Sequence, residues 1–93
     1  MTSQPHVQAQ LTLLNSMGLH ARAAAAFVQA IKDFTVEVTV TRQGQTANGR
    51  SVIELLTLGA PQGSTLDIQI QGVDSEKALA TLTNLINNRF YEE

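Results

Sequence analysis

His20 and Arg22, two positions apart, are the side chains in this sequence best suited to reacting with and holding an anion. They lie in NSMGLHARAAAAFVQAI, residues 15–31, in a 93-residue chain that has only two histidines and six basic side chains. The alanine-rich run after His20 is the strongest helix former in the sequence, so the histidine falls where a helix should begin. The first backbone N–H groups of a helix have no intrahelical partner, and together with the helix dipole they attract an anion. A neutral imidazole is a nucleophile near neutral pH and can accept a phosphoryl group covalently. Arg22 opposes the dipole at that helix end unless an anion is present. Its guanidinium offers charge-assisted bonds to phosphate oxygens, each worth about 1.5–3 kcal/mol where water does not screen it. Residue types alone leave two readings open, a phosphoryl acceptor or a surface histidine decorating a turn.

Ser51 precedes VIELLTLG and suits a helix N-cap, its hydroxyl accepting from an early N–H. That short helix carries too many apolar residues for one stripe. If Leu55 and Leu58 enter the core, Val52, Ile53 and Leu56 form an exposed patch of the kind that marks a partner surface; the alternative is that packing buries all five. Glu54 places a negative charge within the patch. His6 has no acidic or cysteine companions at ligand spacing, which argues against metal binding. Phe27, Phe34, Phe90 and Tyr91 lie on or beside helical segments and are expected to pack in the core, unlike the exposed aromatic sheet of an RNA-recognition domain.

Periodicity predicts the strands and helices on which these residues are carried. VQAQLTLL alternates Val7, Ala9, Leu11 and Leu13 with polar residues and predicts a strand with one buried face. After the turn NSMG, the stripe Ala24, Phe27, Val28 and Ile31 predicts a helix from Ala21 to about Lys32–Phe34. TVEVTVT, with Val36, Val38 and Val40 inward, pairs with a short polar edge strand in RQGQTANG as a hairpin. The Ser51 helix closes at Gly59, STLDIQIQG forms a fourth strand with Leu66, Ile68 and Ile70 on one face, and Asp74 can cap a last helix striped by Ala78, Leu79, Leu82, Leu85 and Ile86. The order β-α-β-β-α-β-α implies an open α/β sandwich, its apolar sheet face covered by helices and its other face in water.

Hydrophobic residues make up 43% of the chain, enough for a single domain over residues 1–93, with residues 1–6 as a flexible tail. The absence of cysteine excludes a disulfide framework and fits a reducing compartment, with the cytoplasm as the default. No apolar run approaches a membrane span, and MTSQPHVQAQ does not resemble a signal peptide. A net charge of −2 with both signs scattered argues against nucleic acid as a partner, and the low aromatic content argues against a small-molecule or RNA-binding sandwich.

MGLHARAAAAFV, followed about thirty residues later by GRSVIELLTLGAPQGSTLDIQIQG, resembles the histidine-containing phosphocarrier family (HPr) of the bacterial sugar phosphotransferase system. The likeness runs from Val7 to about Asn88 and includes Gly18, Gly59, Gly63 and Gly72. It implies an α+β fold of HPr type, an open-faced sandwich whose four-stranded, mainly antiparallel sheet is covered on one face by three helices. It implies that His20 takes phosphate on Nδ1 from enzyme I and gives it to enzyme IIA domains, with Arg22 stabilising the phosphate. Ala21, Val52, Ile53 and Leu56 would form the docking face, on a mildly basic surface to which Arg22, Lys32 and Arg50 contribute. Ser51 matches the serine modified by HPr kinase/phosphorylase, a step tied to a transcription regulator. Its phosphate, about −1.5 to −2 in charge, would stand beside Arg50 at a helix N-terminus. The resemblance further implies a monomeric carrier rather than an enzyme, needing no metal or cofactor. The alternatives are a regulatory module governed by Ser51 and a carrier of the nitrogen-related branch. The family has proline directly after the arginine; Ala23 stands there in this chain, which leaves the helix start open at a cost of about 0.4–1 kcal/mol through the unfolded chain.

Overall fold

A computed structural model describes residues 5–92. The strands are β1 (His6–Thr12), β2 (Glu37–Arg42), β3 (Gln45–Asn48) and β4 (Thr65–Gln71), and the helices are α1 (Ala21–Ile31), α2 (Val52–Thr57) and α3 (Ser75–Asn87). They form one antiparallel sheet of order β1-β4-β2-β3. Register aligns the apolar residues in rows across its inner face. Val7, Ile70 and Val38 make one row, and Ala9, Ile68, Val40 and Ala47 the next. The outer face is polar, with Gln8 Nε2 donating to Asp67 Oδ1 at 3.0 Å. Because side chains alternate faces along a strand, a slip by one residue would send the apolar rows into water, and this fixes the register.

The β2–β3 hairpin turns through Gln43 and Gly44, whose φ angles of 50° and 81° are both positive. Two-residue hairpin loops of this hand match the twist of the strands they join. Above the inner face, α1 packs against α3 and α2, and α3 covers β1 and β4. The α1 stripe buries Ala23, Ala24, Phe27 and Ile31, with Val28 half-buried; α3 buries Ala78, Leu82, Leu85 and Ile86, with Leu79 half-buried.

Three expectations change here, and one feature is new. His6, assigned to the tail, begins β1 opposite Gln71, and Pro5 O accepts from Gly72 N at 2.9 Å; residues 1–4 lie outside the described residues. Asp74 stands at the α3 N-cap, but its Oδ2 accepts from Thr35 N at 2.8 Å instead of from its own helix, tying the approach to β2 to the start of α3. Tyr91 is 70% exposed, whereas Phe27 and Phe90 are buried and Phe34 is half-buried. A left-handed turn, Arg89–Tyr91, follows α3 with φ near 55–58° at all three residues, and it went unforeseen because none of them is glycine.

Ser51 caps α2 as expected, its Oγ accepting from Glu54 N at 3.2 Å. Glu54 Oε1 in turn accepts from Asn48 N at 3.0 Å, so its charge is tied to the end of β3. Replacing Ser51 with alanine leaves that N–H without its acceptor and should lower unfolding stability in urea by about 1 kcal/mol. Ser51→Asp should retain most of it, since a carboxylate also caps and favours the helix dipole. Unchanged stability in Ser51→Ala would show that the cap contributes nothing.

Candidate functional site

The site is built on the loop between β1 and α1. Leu13 N donates to Ser64 O at 2.9 Å, Gly63 N to Leu13 O at 2.8 Å and Leu19 N to Ala60 O at 2.9 Å, which fastens this loop to the segment entering β4. Buried Leu13 and Leu19 anchor both ends. Gly18 takes φ +64° with its backbone against Ala60 and Pro61, and a Cβ there would collide with the Ala60 carbonyl. The side chain of Asn15, fully buried, closes the turn by donating from Nδ2 to Gly18 O at 2.7 Å.

This loop delivers His20 to the N-cap of α1 in extended backbone, φ −83° and ψ 180°. Helical bonding begins with Ala24 N donating to His20 O at 2.8 Å, so Ala21, Arg22 and Ala23 carry N–H groups with no intrahelical acceptor. The His20 side chain makes no cap hydrogen bond to this end, and no acidic residue lies in the first turn. The helix thus starts immediately after His20 without proline. Ala23 is buried in the core and keeps an amide donor that proline would have removed.

A carboxylate reaches the site from 72 residues away. Glu92 Oε2 accepts from His20 Nε2 and from Arg22 Nε at 3.4 Å, while its Oε1 accepts from Asn15 Nδ2 at 2.9 Å. The turn Arg89–Tyr91, anchored by buried Phe90, carries it there. The His20 and Glu92 side chains are 18% and 11% exposed, and that of Arg22 is 76% exposed. The Arg22 contact is therefore screened by water and weak, whereas the His20 contact is sheltered. None of the hydrogen bonds among the described residues engages His20 Nδ1. Burial would raise the pKa of Glu92, but the hydrogen bonds from His20 and Asn15, the charge interaction with His20 and the Arg22 contact outweigh it and hold the carboxyl below its ordinary value.

His20 and Arg22 come together as expected, joined by Asn15 and Glu92, which sequence reasoning missed. Asn15 lay inside the motif but read as a turn residue. Glu92 carried no local signal. Ala21 is exposed beside His20, and Ile53 (77% exposed) and Leu56 (38%) face outward, with Leu55 and Leu58 in the core. Val52 departs from the expected patch: it is half-buried against the core. Arg50 also departs from its expected role beside Ser51. Its guanidinium donates to the carbonyl oxygens of Ile31, Lys32, Phe34 and Val36 at 3.1–3.4 Å, closing the end of α1. Among the described residues no group of three or more His, Cys, Asp or Glu could hold a metal ion, and no helix is long and apolar enough to cross a membrane.

An antiparallel sheet covered on one face by helices, with a histidine at the start of the first helix, is the arrangement of the phosphocarrier class. The family model for the PTS HPr component phosphorylation site matches residues 7–88, and the chain belongs to this HPr family. It is similar to the phosphocarrier protein HPr of Xylella fastidiosa, 37% identical over 84 residues that cover 90% of this chain and 94% of the relative. In structure it resembles HPr-C-His from Thermoanaerobacter tengcongensis, with TM-score 0.89, 33% identity, and coverage of 94% and 98% of the two chains. An HPr dimer from the same organism also matches, with TM-score 0.72, 34% identity, and coverage of 86% and 92%. Family membership implies interaction with enzymes of the phosphotransferase system.

The lowered Glu92 pKa gives stability a defined pH dependence. In the folded chain Glu92 holds its proton less tightly than when unfolded, so its contribution is complete above the ordinary value of 4.5 and is lost as the pH falls through the lowered folded value. The stability advantage of wild type over Glu92→Gln, measured by urea unfolding, should shrink between about pH 6 and about pH 3. A constant difference over that range would show that the carboxylate is not specially held.

Proposed function

We propose that this protein is a phosphocarrier in which His20 Nδ1 takes a phosphoryl group from the phosphohistidine of enzyme I and gives it to enzyme IIA domains for sugar uptake. The observation that carries this reading is the state of His20: Nε2 is engaged by a carboxylate, Nδ1 takes part in none of the hydrogen bonds among the described residues, and the ring stands at a helix end whose first three amides lack intrahelical acceptors. When His20 is charged, its Nδ1 lone pair forms a bond to phosphorus while the bond to the donor nitrogen of enzyme I breaks and returns its electron pair to that ring; in the onward transfer the acceptor's nucleophile bonds to phosphorus and the Nδ1–P electron pair returns to His20. The acceptor ring becomes cationic as the donor ring becomes neutral. Arg22, exposed and only weakly held, then meets phosphate oxygens together with the free amides.

The protein is a relay, not an enzyme with turnover of its own. It receives an already activated group, so the transfer asks for no metal or cofactor. The reading places it in the cytoplasm as a monomer. Ala21, Ile53 and Leu56 supply the exposed docking face, with Val52 supporting them from beneath. Ser51, half-exposed at the α2 N-cap, is the proposed regulatory phosphorylation site. With Arg50 engaged at the end of α1, a phosphate there would act on partner docking through its own charge and the helix dipole.

Incubation with enzyme I and phosphoenolpyruvate, followed by intact mass, tests the reading. Wild type should gain one acid-labile phosphate, and His20→Ala should gain none. Arg22→Ala should gain it about tenfold more slowly, the equivalent of one charge-assisted bond of about 1.4 kcal/mol. Phosphate found on serine alone would instead favour a regulatory module governed by Ser51.

A further inference from the structure

Glu92 is placed with more care than a terminal glutamate requires. Three residues in left-handed backbone, a geometry that costs non-glycine residues energy, turn the chain back after α3. Phe90 is buried to anchor the turn, and the carboxylate meets Asn15, His20 and Arg22 together. Asn15 is itself fully buried and held by Gly18 O, so it fixes the carboxylate from the protein side while leaving Oε2 to the imidazole. This is the arrangement by which a carboxylate selects the tautomer and orientation of a histidine that reacts through its other nitrogen.

We propose that Glu92 is the positioning residue of the acceptor histidine: by accepting the Nε2 proton it holds the ring in the tautomer whose Nδ1 lone pair is free to attack phosphorus. The inference rests on the reading of His20 as phosphoryl acceptor. As Nδ1 bonds to phosphorus the ring acquires positive charge, and the proton stays on Nε2, where the sheltered carboxylate stabilises the cation. When the group leaves, the electron pair of the N–P bond returns to Nδ1 and the ring is neutral again, still held by Glu92. Arg22 is shared at the outset and is free to move to the phosphate, because its contact with Glu92 is long and exposed.

The test compares wild type, Glu92→Ala and Glu92→Gln by two readouts. Nitrogen-15 NMR of the neutral His20 ring reports the tautomer without any phosphate transfer. Wild type should be almost wholly Nε2–H, Glu92→Ala should show a mixture of both tautomers, and Glu92→Gln, which keeps an acceptor oxygen, should stay near wild type. Phosphorylation by enzyme I should slow by about 10–100-fold in Glu92→Ala, by analogy with the loss of an orienting carboxylate behind a metal-bound histidine, with Glu92→Gln in between. A merely structural role would not move the tautomer ratio. If the ratio or the rate is the same in wild type and Glu92→Ala, the positioning role is overturned while the acceptor role of His20 stands. A wild-type ring fixed as Nε2–H that accepts no phosphate from a competent enzyme I overturns the carrier reading and this role with it.

Discussion

The inward face of β4 is the constraint to which the other elements answer. Leu66, Ile68 and Ile70 are fully buried; the rows of Ile68 and Ile70 continue into both β1 and β2, and Leu66 pairs with Leu11 of β1. A sheet with one such face must be covered, and α1 and α3 are the elements long and striped enough to do it. The same strand holds the site. The segment entering β4, Ala60 to Ser64, shares the hydrogen bonds that fasten the loop before α1, so the place of His20 is set by an inner strand of the sheet.

Chemically, the site is one of modest strength. Its cation is exposed, its helix end is short of acceptors, and its sheltered contact is between the imidazole and Glu92. An exposed ion pair contributes little, and a helix terminus adds about 0.3–1 kcal/mol. A carrier needs such weakness, because a phosphoryl group bound deeply by several sheltered cations would not be passed on. In the proposed reading the sheltered carboxylate acts differently, ordering His20 without binding the phosphate.

The strands and helices were legible because burial on one face imposes periods of 2 and 3.6 on the apolar residues, and β2, β4, α1 and α3 show these clearly. The hairpin was legible from Gly44. Val52 was harder, because a helix of barely two turns with five apolar residues does not say which of them the neighbours will cover. His6 was misplaced for the opposite reason: one polar residue at a strand edge has no periodic signature, and only its pairing with Gln71 assigns it. Arg50 and Asp74 kept their positions beside helix ends but bonded to other elements, since a long or charged side chain takes whichever backbone group the fold brings near.

For the site the division is sharper. His20 and the alanine run were enough to put a histidine at a helix start, because helix propensity acts over a few neighbours. What faces that histidine was settled by tertiary packing. The first turn of α1 contains no acid, and the carboxylate that meets His20 arrives from the far end of the chain through a left-handed turn that no glycine announces. Local physics can place a histidine at a helix end. Its partner is chosen by where α3 finishes once its apolar face is packed on the sheet, and that depends on the whole core at once.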